Sequence, residues 1–478
     1  MRVCLICEGS YPYVAGGVSG WVQMLCQNVK DIEFTIFSIA TTREEMSKYK
    51  YQLPDNVKEV NTVYLSDESF KGGKSKVKMS EEEVAVLREL ILGESEKIQW
   101  KKTLDFIKKY RTRMSDILMS EGFYDICLEA YRKTNQKELF HAYLWSFRSM
   151  YFPLMSVLAS DIPKADIYHS LSTGYAGVYG SAASYIEGKP FILSEHGIYT
   201  REREEDIIRA DWVKGDFKEL WINFFKKVSI ITYQQADIVT TLFEVNKNLQ
   251  IELGCPAGKI EMIPNGVDVE QFAKLESKNI LKRDCFNIGT VLRVVPIKDV
   301  KTMILAYDLV REQRQNSRLY IMGNYDESPE YYEECLELVE ALGVDGVTFL
   351  GQVKVQDYLP DIDLLLLSSI SEGQPLAVLE GLAAGIPFVC TNVGDCRSLL
   401  EGSEDDSFGK AGYIVPLMDS KAMANAIITA MDSPEELKQM GINGQKRVQK
   451  YYRREMFLNR YCELYKEVGE RKNGWDRI

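Results

Sequence analysis

A chain of 478 residues with 45% apolar content is long enough for two domains, each with its own core. Its 70 acidic against 58 basic residues leave a net charge of −12, which sets the surface against nucleic acid and anionic lipid unless a local patch overrides it. Three histidines exclude a His-rich metal centre, and the sequence lacks an apolar run of the roughly 18–20 residues that a bilayer crossing needs.

The first stretch, RVCLICEGSYPYVAGGVSGWVQMLCQNVK, predicts a short buried strand, a Gly-rich turn and an amphipathic helix, followed by the strand EFTIFSIA. That is the start of a βαβ unit. Met1-Arg2 leads straight into the strand, too short a leader for a signal peptide, so the expected location is the cytoplasm. Cys4 and Cys7 are three apart and face opposite sides of a strand; with no second Cys-x-x-Cys they read as buried small hydrophobes, like the other scattered cysteines. Residues 66 to about 160 are charged and helically periodic, as in SEEEVAVLRELILGESEKIQWKKTLDFIKKYRTRM, and predict a helical insertion. It includes KGGKSKVK at 71–78, either a solvated connection or an acceptor-side or partner-binding patch.

Strand-like runs resume at ADIYHSLS, PFILSEHG and ADIVTTLFE, each followed by helical pattern, and take the first domain to about residue 275. A polar, lysine-rich stretch then precedes five apolar runs, NIGTVLRVV, SRLYIMG, VTFLGQV, DLLLLSS and IPFVCTN, separated by helical segments. They predict a second parallel sheet, covered on both faces, over 276–452, with a helical segment at 453–478 to close the chain. The fold class is α/β, two Rossmann-like halves in succession.

Parallel α/β sheets bind ligands where the C-terminal ends of strands meet helix N-termini. After the first strand, Gly16 and Gly17 remove side chains at a helix start, letting backbone approach an anion; the alternative is a plain turn that opens the helix. After the first strand of the second half, Arg293 and Lys298 flank Pro296 just ahead of a helix. A planar fork and a point charge suit the oxygens of a diphosphate; the alternative is a solvated basic pair. In SSISEGQPLAVLEGLAAG, residues 368–385, the strand DLLLLSS gives way to a loop of Glu372, Gly373 and Gln374. Pro375 fits the first helical position, where its missing N–H costs nothing, Leu376 follows, and Glu380 lies about one and a half turns into the helix. Two carboxylates flanking bared backbone suit a nucleotide sugar: sugar hydroxyls at one end, ribose hydroxyls at the other, a diphosphate between them.

EGQPLAVLE resembles the E-x7-E signature of retaining glycosyltransferase family 4, RVVPIK resembles that family's Arg-x4-Lys pair, and PNGVD at 264–268 is similar to its interdomain motif. CEGSYPYVAGGVSGWV, SLSTGYAG and SEHGIYTRERE are similar to members that build bacterial exopolysaccharide. The resemblance spans nearly the whole chain. It implies a GT-B fold, two Rossmann-like domains facing a cleft, with the nucleotide sugar on the C-terminal domain, the acceptor mainly on the N-terminal one, and the last helix packing back on the first domain. It also implies a UDP-sugar donor, no metal and no other cofactor, a polysaccharide acceptor, and membrane-embedded synthase subunits as partners.

Carried over by motif, Glu372 contacts donor sugar hydroxyls, Glu380 the ribose hydroxyls, and Arg293 and Lys298 the leaving diphosphate. The Gly373 and Gln374 backbone meets sugar or phosphate beside Pro375 and Leu376, and the Gly16-Gly17 loop meets the diphosphate from the first domain. Gln352 and Val353 lie where the family places the uracil, and His196 matches its histidine near the reacting carbon, the alternative being a hydrogen-bonded structural histidine. Tyr199, Arg201 and Arg203 either line an acceptor groove or begin a solvated helix, and His169 is expected at the cleft wall. Two other readings stay open: a family 4 enzyme with a soluble acceptor, and a non-catalytic scaffold that senses UDP-sugar in a membrane complex.

Overall fold

The first strand shows why the central elements form: Val3 to Cys7 are five consecutive apolar residues, all at 0% exposure, so both faces of the strand are buried. The computed structural model describes residues 1–43, 48–65, 77–93, 99–133, 139–282, 284–403 and 406–470. They divide into two compact units, Met1–Met262 with the chain from Tyr461 onward, and Ile263–Arg460.

The first unit is built on seven parallel strands, β1 (Arg2–Glu8), β2 (Glu33–Ala40), β3 (Val57–Tyr64), β4 (Ile167–Ser170), β5 (Phe191–Glu195), β6 (Ile238–Thr241) and β7 (Ile260–Met262), in the order β3-β2-β1-β4-β5-β6-β7. The second has six, β8 (Phe286–Val291), β9 (Ser317–Met322), β10 (Val347–Gly351), β11 (Leu364–Leu367), β12 (Phe388–Thr391) and β13 (Gly412–Val415), in the order β10-β9-β8-β11-β12-β13. Along β11, Leu364 and Leu366 join one apolar cluster and Leu365 and Leu367 another, so the second sheet carries a core on each face.

Three strands, β3, β7 and β13, go beyond the sequence expectation, and each is the edge of its sheet. An edge strand is covered less and needs no unbroken apolar run; VKEVNTVY is half polar, IEM has three residues, and GYIV begins with glycine.

Between β3 and β4, the helices Glu81–Leu92, Trp100–Tyr110, Glu121–Lys133 and Phe140–Ala159 form the expected insertion. The first opens with a capping box, in which Ser80 accepts from the Glu83 N–H and the Glu83 carboxylate accepts from the Ser80 N–H. An aromatic core joins the insertion to the rest of the unit, with Tyr151 edge-on to Phe224 at 5.1 Å. Of KGGKSKVK, all but Val77 and Lys78 lie outside the described residues.

The boundary between units falls before Ile263 rather than near residue 275, because PNGVD is bonded into the second unit. There the Asn265 N–H donates to Gln374 Oε1 at 2.7 Å, and the Val267 N–H to the Tyr452 carbonyl at 2.8 Å. The last described helix, Arg454–Glu470, begins in the second unit and from Tyr461 belongs to the first; residues 471–478 lie outside the described set. All ten cysteines are free, and only Cys285 and Cys462 are partly exposed. No described helix is long and apolar enough to cross a membrane.

Candidate functional site

In the second sheet the chain winds one way from β8 through β9 to β10, then returns to add β11 on the other side of β8. The loops leaving β8 and β11 therefore diverge at a topological switch point, where such sheets hold ligands. Arg293 and Lys298 follow β8; Glu372 follows β11. Backbone stitches the two loops together: Ser368 Oγ donates to the Lys298 carbonyl at 2.8 Å and the Ile370 N–H to the Ile297 carbonyl at 2.9 Å.

Lys298 Nζ donates to Glu372 Oε1 at 2.5 Å, with the two side chains only 17% and 12% exposed. Ser369 Oγ donates to the same oxygen at 2.6 Å. Ammonium and carboxylate are thus held together in a poorly hydrated place, where a phosphate could exchange for the carboxylate. Asp299 follows in the left-handed region, φ 46°, and caps the helix Val300–Gln313 by accepting from the Thr302 N–H at 3.3 Å. Arg293 pairs instead with Glu327, at 2.6 and 2.7 Å, and both are about half exposed. Such a pair contributes about 0–1 kcal/mol and is readily opened.

The loop 372–374 is backed by the turn after β12. Gly394, φ 51°, lies so close that a Cβ there would sit 2.1 Å from the Gly373 carbonyl oxygen and 2.5 Å from that of Glu372. The Asp395 N–H donates to the Gly373 carbonyl at 3.0 Å. Gln374 is 6% exposed, and its side chain accepts from the Asn265 N–H and donates to Asp395 Oδ2 at 2.7 Å; its carbonyl accepts from Asn265 Nδ2 at 3.3 Å. Its bonds therefore join the loop to PNGVD. Pro375 stands one position earlier than expected, as the extended cap (ψ 117°) of the helix Leu376–Ala383, and its carbonyl accepts from the Val378 and Leu379 N–H groups. Glu380, inside that helix, has its carboxyl pushed up to about 7 by burial as the only cause. Gln352, exposed, and Val353, half-buried, follow β10, which β9 separates from β8.

The first sheet has its own reversal, between β1 and β4. Gly16 and Gly17 are exposed at the start of the helix Gly17–Asn28, and a Cβ at either would meet nothing within 4 Å. The packing of this chain therefore does not itself require glycine there.

His169 corrects an expectation. It is 0% exposed, with Nδ1 bonded to the Tyr465 hydroxyl and Nε2 to Ser194 Oγ, both at 2.7 Å, and burial pushes its pKa down to about 3. It sits in the interior of the first unit and not at a wall, because the last helix brings Tyr465 onto it. Tyr199 is likewise 6% exposed and bonded inward rather than lining a groove. Arg201 is exposed; Arg203 pairs with Asp206 at 3.2 Å and lies 5.3 Å over the Tyr199 ring, with a buried Nε that lacks a partner among the described residues.

His196 differs from His169. Its Nε2 is buried with no hydrogen-bond partner among the described residues, its ring stands edge-on to Trp21 at 4.8 Å, and burial pushes its pKa down to about 4. A neutral imidazole with one unsatisfied nitrogen is poised for a polar ligand.

Sequence reasoning missed Glu327 opposite Arg293, Asp395 behind the loop, and two acids of the first unit, Glu8 and Glu195. A signal for the last two exists: each is the final residue of an apolar strand, in VCLICE and FILSE, where a charge needs a reason.

Two parallel-sheet α/β units in succession, each with a switch point, define the GT-B architecture. Sucrose-phosphate synthase from Thermosynechococcus elongatus aligns over 98% of this chain and 98% of its own, with TM-score 0.63 and 17% identity. Anabaena HepE in complex with UDP aligns over 98% and 100%, with TM-score 0.60 and 13% identity. The chain belongs to the family described as a domain of unknown function, DUF3492, whose model matches residues 1–258; a second model, glycosyl transferases group 1, matches residues 284–433. It is 26% identical to the N-acetyl-alpha-D-glucosaminyl L-malate synthase of Bacillus anthracis over 50% of this chain and 62% of that protein. To an Escherichia coli UDP-Gal:alpha-D-GlcNAc-diphosphoundecaprenol alpha-1,3-galactosyltransferase it is 25% identical, over 56% of this chain and 67% of that protein. The chain spans less than two thirds of the length of the first of these relatives.

Proposed function

We propose that this chain is a retaining glycosyltransferase that moves a hexose or N-acetylhexosamine from a UDP-sugar to a growing exopolysaccharide of the Pel type. The observation that carries the reading is the Lys298–Glu372 pair at the switch point of the second sheet, with Arg293 on the loop that carries Lys298 and Glu380 in the helix after the loop that carries Glu372. In glycosyl transfer the transition state is oxocarbenium-like and the diphosphate departs with growing negative charge. Lys298 exchanges Glu372 for the phosphate, Arg293 exchanges Glu327, and the unpaired N–H groups at the start of Leu376–Ala383 add a positive helix end.

Glu372, freed, accepts from hydroxyls of the sugar, and Glu380 accepts from the ribose. The bond from the anomeric carbon to phosphate breaks, the acceptor oxygen bonds to that carbon from the same face, and the acceptor's proton passes to the leaving phosphate oxygen. Fixed cations carry the electrophilic assistance, so the reaction needs no metal and chelator leaves turnover unchanged. The Pel assignment rests on the segments CEGSYPYVAGGVSGWV and SEHGIYTRERE. In this reading the enzyme works in the cytoplasm, at the inner face of the membrane, with its helical insertion turned to membrane-embedded synthase subunits.

The test is a screen of UDP-, GDP- and ADP-sugars for nucleotide release and for transfer to oligosaccharide, with Lys298→Ala and Glu372→Ala beside the wild type. Transfer by both variants at the wild-type rate would place the donor site elsewhere.

A further inference from the structure

We infer that Tyr199, gripped by Glu195 and Glu8, is a positioning residue that fixes His196 for sugar transfer; the inference rests on the function proposed above. Only Gly197 and Ile198 separate His196 from Tyr199, the first residue of the helix Tyr199–Arg209. Tyr199 is held at both ends. Its N–H donates to Glu195 Oε1 at 3.1 Å, and its hydroxyl donates to Glu8 Oε1 at 2.8 Å.

Neither carboxylate is free to swing. Glu195 Oε2 also accepts from the Tyr233 hydroxyl at 2.6 Å and from Gln250 Nε2 at 2.9 Å, while Glu8 Oε2 accepts from the Ala176 N–H at 3.0 Å. Because Glu8 ends β1 and Glu195 ends β5, with β4 between them, the grip reaches across the switch point of the first sheet. Gly174 makes room for it: a Cβ there would stand 2.3 Å from the Tyr199 ring carbon and hydroxyl. On the other side of the segment Trp21 bounds the His196 ring at 4.8 Å.

The groups on both sides of His196 are bonded, while its own Nε2 is buried and finds no partner among the described residues. Holding a histidine that firmly serves a ring whose partner arrives from outside. A grip that served stability alone would leave the state of this ring unchanged when loosened.

The experiment uses the full chain and Tyr199→Phe, which keeps the ring and the helix N–H and removes only the bond to Glu8. Steady-state turnover of the UDP-sugar found by the donor screen is expected to show kcat lower by about tenfold with donor KM within about twofold, since the proposed donor groups Arg293, Lys298, Glu372 and Glu380 belong to the other unit. In a His196→Ala background Tyr199→Phe should bring no further fall; an equal fall there would overturn the inference.

A second readout does not depend on activity. With three histidines in the chain, ring 15N spectra are assigned by single His→Gln variants, and His196 should titrate near 4 in the wild type and closer to its ordinary range in Tyr199→Phe. Glu8→Gln, which removes the charge and keeps the shape, is a second variant held to the same outcome. An unchanged His196 titration in both overturns the positioning role, whereas a wild type that turns over no nucleotide sugar but shows the shifted titration overturns only the functional reading.

Discussion

The two units wind their sheets in the same order around a reversal, yet use the acids at that reversal in opposite ways. In the first, Glu8 and Glu195 are saturated by donors from their own unit: Tyr199, Ala176, Tyr233 and Gln250. In the second, Glu372 takes both of its bonds on one oxygen, and Glu380 is half-buried with its pKa raised by desolvation alone. The shared topology delivers carboxylates to both crevices; which of them can meet a ligand depends on how many donors the unit itself supplies. A saturated acid holds backbone in place, and an unsaturated one keeps its affinity for something else.

The sharpest way to break this comparison is to remove the cation of the second unit. Lys298→Ala is expected to lower donor turnover by about 10²–10³-fold, the range seen when a group stabilising departing charge is lost, as measured by nucleotide release. Next in size are two glycine substitutions, each crowding a loop that follows a strand of its own sheet. Gly394→Ala, at φ 51° and 2.1 Å from the Gly373 carbonyl, displaces the loop that carries Glu372 and should raise donor KM by about tenfold. Gly174→Ala pushes on Tyr199 instead and should lower kcat while leaving donor KM unchanged, with a stability loss of about 1–3 kcal/mol by denaturant titration. The same kinetic signature from both would erase the distinction between the crevices.

Glu380 gives a smaller, pH-dependent effect. Its folded pKa, about 7, is raised, so ionising it costs the fold nothing at low pH and progressively more as pH rises towards 7. Glu380→Gln should therefore raise Tm at pH 8 and leave it unchanged at pH 4. Donor binding runs the other way: in the wild type KM should rise as pH falls below 7, and the Gln variant should show a weaker, flat profile. The smallest change is expected from Glu327→Ala, which frees Arg293 from an exposed pair worth about 0–1 kcal/mol and should alter donor KM by less than about fivefold.

The central strands were legible because burial on both faces demands runs such as VCLIC and LLLL. The edge strands β3, β7 and β13 were not, since a strand flanked on one side tolerates polar residues and short length. In the second unit the spacing of Glu372 and Glu380 and the separation of Arg293 from Lys298 were visible as motifs. Their pairing was not: that Lys298 holds Glu372 while Arg293 holds Glu327 depends on loops 74 and 34 residues apart in the chain. In the first unit sequence placed both His169 and His196 at the cleft, and only tertiary packing separates the sealed His169 from the unsatisfied His196.

The seal on His169 ties a strand made before the second unit to a helix made after it. Its Tyr465 partner lies 296 residues downstream, and Tyr461, beside it, bonds to Ser194 and Thr240 as well. A nascent first unit on the ribosome cannot complete its interior until the whole second unit has been translated, so the domain begun first is finished last. Cleavage just before Tyr461 would leave every motif in place and still strip the first sheet of part of its filling.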